Sequence, residues 1–163
     1  MNMNQKTIIG NVCFIKNEKG NKVLLLKRSR EPMANMFTGV GGKTNFDEDI
    51  NSSCIREVKE ETGLNIKNVK LKGVLKTVLE GKDSSWILFV YTAETPNIKF
   101  ADCTEGELQW VDLNKINSYQ LIGFIKRILP SVLKEKEFVE GLIKHDIKGN
   151  VLEEKINVMR FES

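Results

Sequence analysis

The chain has 163 residues, of which 40% are hydrophobic and 29% are charged, and its formal net charge is +3. These values are typical of one globular domain. So small a basic excess predicts no stable nucleic-acid partner, and no apolar run reaches the ~20 residues of a membrane-spanning helix. The polar first residues and three scattered cysteines favour a cytoplasmic protein with reduced thiols and no membrane partner.

The first half of the chain predicts a hairpin and then a helix. Residues 7–15 and 22–26 are rich in β-formers and are separated by a polar turn, so they predict two paired strands. Residues 36–43 form a glycine-rich connection. Residues 47–62 then predict a helix that ends at Gly63, because glycine commonly terminates helices.

The second half predicts further strands around one helix. Residues 66–79 hold one long or two short strands, and the apolar segment 86–93 suits a strand that is buried on both faces. Residues 107–111 predict another short strand. Apolar residues recur at helical spacing over 121–133, which predicts an amphipathic helix interrupted or bent near Pro130.

The C-terminal extension, residues 136–163, predicts two strands around a turn at residues 148–150. His145, the only histidine, lies near that turn, and we expect it at the surface. Clustered hairpins mixed with helices favour an α/β (α+β) fold in which helices cover a mixed sheet. We expect residues 1–163 to form one domain.

Three carboxylates share one face of the predicted helix. At about 100° per residue, Glu57, Glu60 and Glu61 fall within an arc of roughly 100°. The adjoining arc is expected to pack on the sheet and contains Cys54, Ile55, Val58 and Thr62.

Such crowded carboxylates repel one another and need an offsetting charge. A solvated acidic face balanced by Arg56 and Lys59 is the ordinary explanation for such a helix. Hard divalent cations are the alternative: carboxylate oxygens suit Mg²⁺ or Mn²⁺, and no histidine or cysteine ligand pattern competes. Arg56 is a fixed cation that can hold a carboxylate bidentately and orient it.

The segment 42–64, GKTNFDEDINSSCIREVKEETGL, resembles the signature of the Nudix hydrolase family. That signature is Gly, five residues, Glu, seven residues, Arg-Glu, an aliphatic residue, any residue, Glu-Glu, any residue, Gly and an aliphatic residue. Every defined position is filled at the right spacing, by Gly42, Glu48, Arg56, Glu57, Val58, Glu60, Glu61, Gly63 and Leu64. The resemblance favours metal binding over the solvated face and covers about residues 7–135.

The resemblance implies a Nudix-type α/β/α sandwich and a magnesium-dependent (or manganese-dependent) hydrolase. Its implied metal ligands are Glu57, Glu60 and Glu61 with the Gly42 backbone, and Arg56 would orient a ligand. A further glutamate outside the signature often binds metal or acts as general base. Glu105 and Glu107 are the candidates, with a slight preference for Glu105.

The resemblance leaves the substrate open. Residues 36–43, MFTGVGGK, resemble the corresponding segment of enzymes that hydrolyse oxidised purine triphosphates such as 8-oxo-dGTP to the monophosphate and pyrophosphate. Thr38 stands where those enzymes often have a base-reading asparagine, and Phe37 is a candidate for stacking on a base. Lys27 and Arg28 are candidates for phosphate contact.

Several alternatives remain open at this point. Dinucleoside polyphosphates, nucleotide sugars and capped RNA are other substrates of the same reaction class. A non-catalytic nucleotide-sensing module would usually have lost acids that this chain retains. A related isoprenoid diphosphate isomerase would need a catalytic cysteine, and Cys54 lies on the apolar arc. The protein is expected to be a monomer or a homodimer.

Overall fold

The computed structural model describes residues 4–162, which form one β-sheet with two α-helices and a short 3₁₀ helix. The strands are β1 (Lys6–Asn17), β2 (Lys22–Arg28), β3 (Phe37–Thr38), β4 (Val40–Lys43), β5 (Lys67–Leu79), β6 (Ser84–Thr95), β7 (Gly106–Asp112), β8 (Glu137–His145) and β9 (Val151–Arg160). The helices are α1 (Ile50–Thr62) and α2 (Gly123–Val132), and the 3₁₀ helix is Leu113–Ser118. No helix in this part of the chain is long and apolar enough to cross a membrane.

The sheet is mixed, as predicted. Its strand order is β3-β2-β1-β6-β5-β8-β9, with β4 also paired to β1 and β7 to β2. The pairs β1–β6 and β5–β8 are parallel, and the other pairs are antiparallel. Strand β1 pairs with β4 through residues 10–13 and with β2 through residues 15–16. This fork brings the glycine-rich β4 beside the centre of the sheet.

The two helices cover opposite faces, which confirms the predicted sandwich. Successive side chains of a strand point to opposite faces, so each strand contributes to two cores. Apolar side chains of α2 pack with alternate residues of the central strands, including Phe14, Leu25, Leu75 and Ile143. Helix α1 packs through Cys54 and Val58 on the other set, which includes Cys13, Ile15, Leu24, Val40 and Tyr91.

Helix α1 begins later than predicted. The Asp49 side chain accepts a hydrogen bond from the Ser52 amide at 2.9 Å, so Asp49 is the N-cap and residues 47–48 lie outside the helix. The helix ends as predicted at Gly63, whose φ of 74° is accessible to glycine without strain.

The buried face of α1 is rotated from the predicted one. Ile55, expected in the core, is 41% exposed, whereas Ser53 is buried and its Oγ accepts a hydrogen bond from Nδ2 of Asn11 at 2.9 Å. We count angular positions around the helix axis from Glu57 at 0°. The buried residues then extend from about −40° at Ser53 to about 140° at Thr62. Glu61, at about 40°, therefore lies inside the buried arc.

Helix α2 continues through Pro130 to Val132 instead of being interrupted there. Proline lacks an amide hydrogen and its ring crowds the carbonyl four residues earlier, but the Leu133 amide still donates to the Leu129 carbonyl at 3.0 Å. The tail forms β8 and β9, and β8 lies parallel beside β5 in the same sheet. His145 at the end of β8 is only 5% exposed, so its predicted surface position is wrong.

Candidate functional site

A cleft of about 660 Å³ opens beside the fork in β1. One end is lined by carboxylates and glycine backbone from three segments: Gly41, Gly42, Glu57, Glu61 and Glu105. The rest of the cleft has more apolar than polar surface. Its apolar lining includes Val12, Met33, Trp86, Leu88, Phe124 and Ile125, and its polar lining includes His145 and the cations Arg28, Lys43 and Lys82. Helix α1 and the segment before β7 thus bring acids that are distant in sequence beside the glycine backbone of β4.

Gly42 allows strand β4 to lie directly against the Glu57 carboxylate. A Cβ atom at Gly42 would lie 2.6 Å from both Cδ and Oε2 of Glu57. Real Cβ atoms do not come this close to another heavy atom, so only glycine leaves room for the carboxylate. The backbone of β4 and the Glu57 side chain therefore form one continuous polar surface at the acidic end.

Replacing Gly42 with alanine should reduce catalysis without unfolding the protein. The added methyl group meets the far end of a flexible side chain, so the Glu57 carboxylate can move aside and the fold is retained. We expect kcat/KM to fall at least ~10-fold, as is common when a metal ligand is disoriented. Steady-state kinetics and thermal unfolding would check this, and a Tm loss without an activity loss would contradict it.

Glu61 is held in an environment that disfavours its charge. Burial in the α1–sheet interface, with the nearby charges of Glu57 and Glu105, raises its pKa to about 8. The Gly41 amide opposes this shift by donating to Oε2 of Glu61 at 3.2 Å. Burial likewise raises the pKa of Glu57, against the lowering effect of Arg56. Without a bound cation, these two carboxylates resist being ionised together.

The metal-free protein should lose stability as the pH rises towards 8. The folded-state pKa of Glu61 lies above its ordinary value of 4.5, so the folded state holds this proton more tightly than the unfolded state. That stabilisation is complete below about pH 4.5 and is lost as the pH passes through about 8. Tm measured in EDTA from pH 5 to 9 should show the decline. The Glu61→Gln variant should show a smaller decline, and an identical profile would contradict this explanation.

Arg56 joins four groups around the acidic end. It binds Glu48 bidentately, with Nε–Oε2 at 2.7 Å and Nη2–Oε1 at 2.9 Å. Its Nη1 donates to Glu57 at 3.0 Å and to Glu60 at 3.1 Å, and Nη2 donates to the Lys43 carbonyl at 3.2 Å. The hydrogen bond from Arg56 is the main reason that the pKa of Glu48 falls to about 2. Arg56 thus links α1 to its preceding loop and fixes the Glu57 carboxylate.

The acidic end fits a hard divalent cation in chemistry. Its donors are carboxylate and carbonyl oxygens, which Mg²⁺ and Mn²⁺ prefer. Within residues 4–162, no three acidic, histidine or cysteine side chains already form a cage around one point. Mg²⁺ seldom uses such a cage, because it takes one or two carboxylates together with water and substrate phosphates. Glu57 and Glu61, with their raised pKa values, are the groups that a cation would relieve most.

The other predicted acids occupy different positions. Glu60 has a 59% exposed side chain paired with Arg56, and it lies outside the cleft lining. Glu105 lines the cleft and is close enough for its charge to raise the pKa of Glu61. Glu107 is exposed on β7, opposite Lys27 of β2, and does not line the cleft. These positions favour Glu105 over Glu107, while the role of each remains a prediction.

Two of the four predicted substrate-binding residues line the cleft. Thr38 and Arg28 do so, and Nε of Arg28 donates to the Pro32 carbonyl at 3.0 Å. Phe37 instead packs edge-to-face on Tyr119, with ring centroids 5.2 Å apart, against the α2 core. Lys27 lies beside Arg28 in β2 but is not part of the cleft lining. Base stacking by Phe37 and phosphate contact by Lys27 remain predictions that this geometry does not favour.

Several cleft residues gave no signal as site residues in the sequence. Trp86 belonged to a segment predicted only as a buried strand, and Asn11 to a strand of the first hairpin. His145 was placed at the surface because it borders a predicted turn, yet β8 carries it into the cleft. Only the order of strands in the sheet, which has no local sequence pattern, brings these residues together.

Comparison with known proteins adds independent observations. A family model described as the NUDIX domain matches residues 7–132. An uncharacterized Nudix hydrolase of Bacillus subtilis (strain 168), YvcI, is 30% identical over 141 residues, which cover 84% of this chain and 87% of that protein. The oxidized purine nucleoside triphosphate hydrolase of Danio rerio is 27% identical over 136 residues, covering 83% and 86%.

Among solved structures, the crystal structure of the mutator MutT protein from Bacillus halodurans is similar over 92% of this chain and 97% of that one. The TM-score is 0.81 and the sequence identity is 27%. The signature at residues 42–64, the sandwich fold and the match over residues 7–132 agree with one another. The chain therefore belongs to the NUDIX domain family and is a Nudix hydrolase, an enzyme of the class that hydrolyses diphosphate linkages in nucleotides with divalent metal ions.

Proposed function

We propose that this enzyme hydrolyses a purine nucleoside triphosphate to the monophosphate and pyrophosphate, with Mg²⁺ as its metal. The observation that carries the proposal is the single cleft whose acidic end continues into a largely apolar part. A nucleotide has the same division, with a charged phosphate chain at one end and a flat, largely apolar base at the other. The volume of about 660 Å³ is within the range of ~300–1,000 Å³ that is common for small-molecule sites.

At the acidic end, the phosphates would meet Glu57, Glu61 and the Gly42 backbone, the groups best placed to hold the metal. Bound Mg²⁺ supplies charge neutralisation for the phosphate oxygens and lowers the pKa of the attacking water. Arg56 holds Glu57 in position, and the Gly41 amide orients Glu61. Glu105, which lines the cleft, would accept the proton of the attacking water as the new oxygen–phosphorus bond forms and pyrophosphate leaves.

In the apolar part, Trp86, Leu88 and Phe124 offer surfaces for a base and its sugar. Thr38 lines the same cleft, but its hydroxyl cannot offer the paired donor and acceptor of an amide. This difference argues for a purine triphosphatase whose preference for oxidised guanine is weaker than that of an enzyme with asparagine at this position. The likeness to the Danio rerio enzyme supports the oxidised purines as the first modified substrates to test.

A panel of nucleotides with Mg²⁺ tests the proposal. We expect the highest kcat/KM for purine triphosphates, with monophosphate and pyrophosphate as products. Comparing 8-oxo-dGTP with dGTP measures any preference for the oxidised base, and equal values would remove a sanitising role. Dinucleoside polyphosphates, nucleotide sugars and capped RNA belong in the same panel, and a higher kcat/KM for any of them would overturn the triphosphate assignment.

The attacked phosphorus can be read from the products. Reaction in ¹⁸O-labelled water places the label either in the monophosphate or in the pyrophosphate, which identifies attack at the α- or β-phosphorus.

A non-catalytic nucleotide sensor is the second candidate. If the protein binds nucleotides in the presence of Mg²⁺ but releases no product from any panel member, the sensor replaces the enzyme.

A further inference from the structure

The C-terminal hairpin builds part of the cleft wall. Its first strand, β8, pairs in parallel with β5, and His145 lies opposite Leu79. The turn after β8 is tied down at two points: the Met33 amide donates to the Ile147 carbonyl at 3.1 Å, and the Gly123 amide to the Gly149 carbonyl at 3.0 Å. This wall lies beyond residues 7–132, which the family model matches. Its contribution to the cleft therefore cannot be read from the match to the family model.

His145 is the residue that the hairpin brings to the cleft. It is 5% exposed, and its ring packs on Phe124 at a centroid distance of 5.1 Å and a tilt of 44°. Nδ1 lies 3.0 Å from the Asp146 carbonyl oxygen. A carbonyl only accepts hydrogen bonds, so Nδ1 carries the proton of that bond. The ring is thereby fixed in both orientation and tautomer.

The other ring nitrogen, Nε2, is left as an acceptor when the ring is neutral. Within residues 4–162 no protein group donates a hydrogen bond to it, and the atom itself is not sealed from solvent, so it is open to the cleft. Water, or a ligand that displaces the water, can therefore satisfy this acceptor. The ring is held by the hydrogen bond of Nδ1 and by its contact with Phe124. Nε2 is therefore preorganised to accept one hydrogen bond in the cleft.

His145 and the acidic end lie on different strands of the cleft wall. Strand β8 is four strand positions from β4, along β4-β1-β6-β5-β8, which is a path of ~19 Å along the sheet at ~4.8 Å per strand. Because the sheet is curved, this path is an upper bound on the direct distance across the strands, and it places His145 on the opposite side of the cleft from the groups that would hold phosphates. The apolar side chains of Trp86, Leu88 and Phe124 line the same cleft.

We propose that His145 determines base specificity: Nε2 accepts a hydrogen bond from an N–H group on the edge of the substrate's purine base. The inference rests on the proposed function, because it takes the phosphates to lie at Glu57 and Glu61. Every common base carries an N–H donor, so selectivity for purines rests on reach: the two-ring purine extends its edge further from the ribose towards β8 than a pyrimidine does. His145 also supplies the base recognition that Thr38, which lacks an amide, provides only in part.

Because His145 is the only histidine in the chain, its ring can be observed directly by NMR in the untagged protein. We expect the ¹⁵Nε2 and ring C–H resonances to shift when an α,β-methylene purine triphosphate is added with Mg²⁺. The corresponding pyrimidine analogue and inorganic tripolyphosphate should produce little shift. If the purine analogue binds, as measured by calorimetry, and the histidine signals do not move, the inference is wrong.

Variants give the second test. His145→Leu keeps apolar bulk against Phe124 but removes the acceptor, whereas His145→Gln retains one. We expect His145→Leu to lower kcat/KM for purine triphosphates roughly 5- to 10-fold, as for the loss of one hydrogen bond, mainly through KM. His145→Gln should recover part of this loss. Lys144→Ala, on the same strand but outside the cleft lining, is the control and should match the wild type.

The outcomes separate the two proposals. If the wild type hydrolyses purine triphosphates but His145→Leu keeps the wild-type ratio of purine to pyrimidine kcat/KM, the specificity role fails and the proposed function stands. An equal loss of kcat for all substrates would also overturn the role. If the histidine resonances respond to purine analogues but no triphosphate is hydrolysed, the proposed function fails and base recognition by His145 stands.

Discussion

Replacing Glu61 with glutamine is expected to lower kcat by roughly 10²–10³-fold while making the metal-free protein more stable above pH 7. Glutamine fills the same space in the α1–sheet interface but removes the charge that a cation would need, and losing several kcal/mol of transition-state stabilisation has an effect of this size. The same substitution removes the cost of burying a charge and the repulsion from Glu57. These two effects are the main causes that raise the pKa of Glu61 to about 8. Kinetics with saturating Mg²⁺ and Tm in EDTA measure both effects.

Glu60→Gln is the matched control for this prediction. It removes the same charge one residue away on the same helix, but the Glu60 side chain is exposed and outside the cleft lining. We expect a much smaller loss of kcat. The gain in metal-free stability should also be smaller, because the charge of Glu60 raises the pKa of Glu61 less than burial and Glu57 do. A loss as large as that of Glu61→Gln would show that Glu60 also holds the metal, as the signature implies. Full activity in Glu61→Gln would overturn the site itself.

Replacing Arg56 with lysine is expected to lower kcat/KM by roughly 10–100-fold, although the positive charge is kept. Lysine cannot reproduce the bidentate contact with Glu48 together with the hydrogen bonds to Glu57 and the Lys43 carbonyl. Groups that orient a metal-binding carboxylate typically have effects of this magnitude. The apparent Mg²⁺ affinity should fall in parallel, because Glu57 is no longer held in place.

The same substitution at Arg127 is the control for Arg56→Lys. Arg127 also binds a carboxylate, with Nε 2.9 Å from both oxygens of Glu154, but this pair is exposed and away from the cleft. Exposed ion pairs contribute little to stability, so Arg127→Lys should leave kcat/KM and Mg²⁺ dependence unchanged. Equal effects of the two substitutions would show that Arg56 contributes only to folding.

Helix α1 shows how far local sequence can predict a site. The spacing of Glu57, Glu60 and Glu61 placed three acids on one face, and the structure has them on α1 as expected. The spacing could not show which of the three acids is most buried, because burial depends on how the helix is rotated against the sheet. Ser53 is buried in place of Ile55, and that rotation puts Glu61 inside the interface and Glu60 in solvent.

The sequence by itself determined the features that depend on residues close together in the chain. These are the mixture of strands and helices, the acidic helix that ends at a glycine, and the spacing of residues 42–64 that identifies the family. Such local patterns can be recognised before the tertiary structure is known. Only the tertiary structure decided what shares the cleft, because strand order joins segments with no common local pattern. That is how β8 brings His145, expected at the surface, into the same cleft as Glu57 and Glu61.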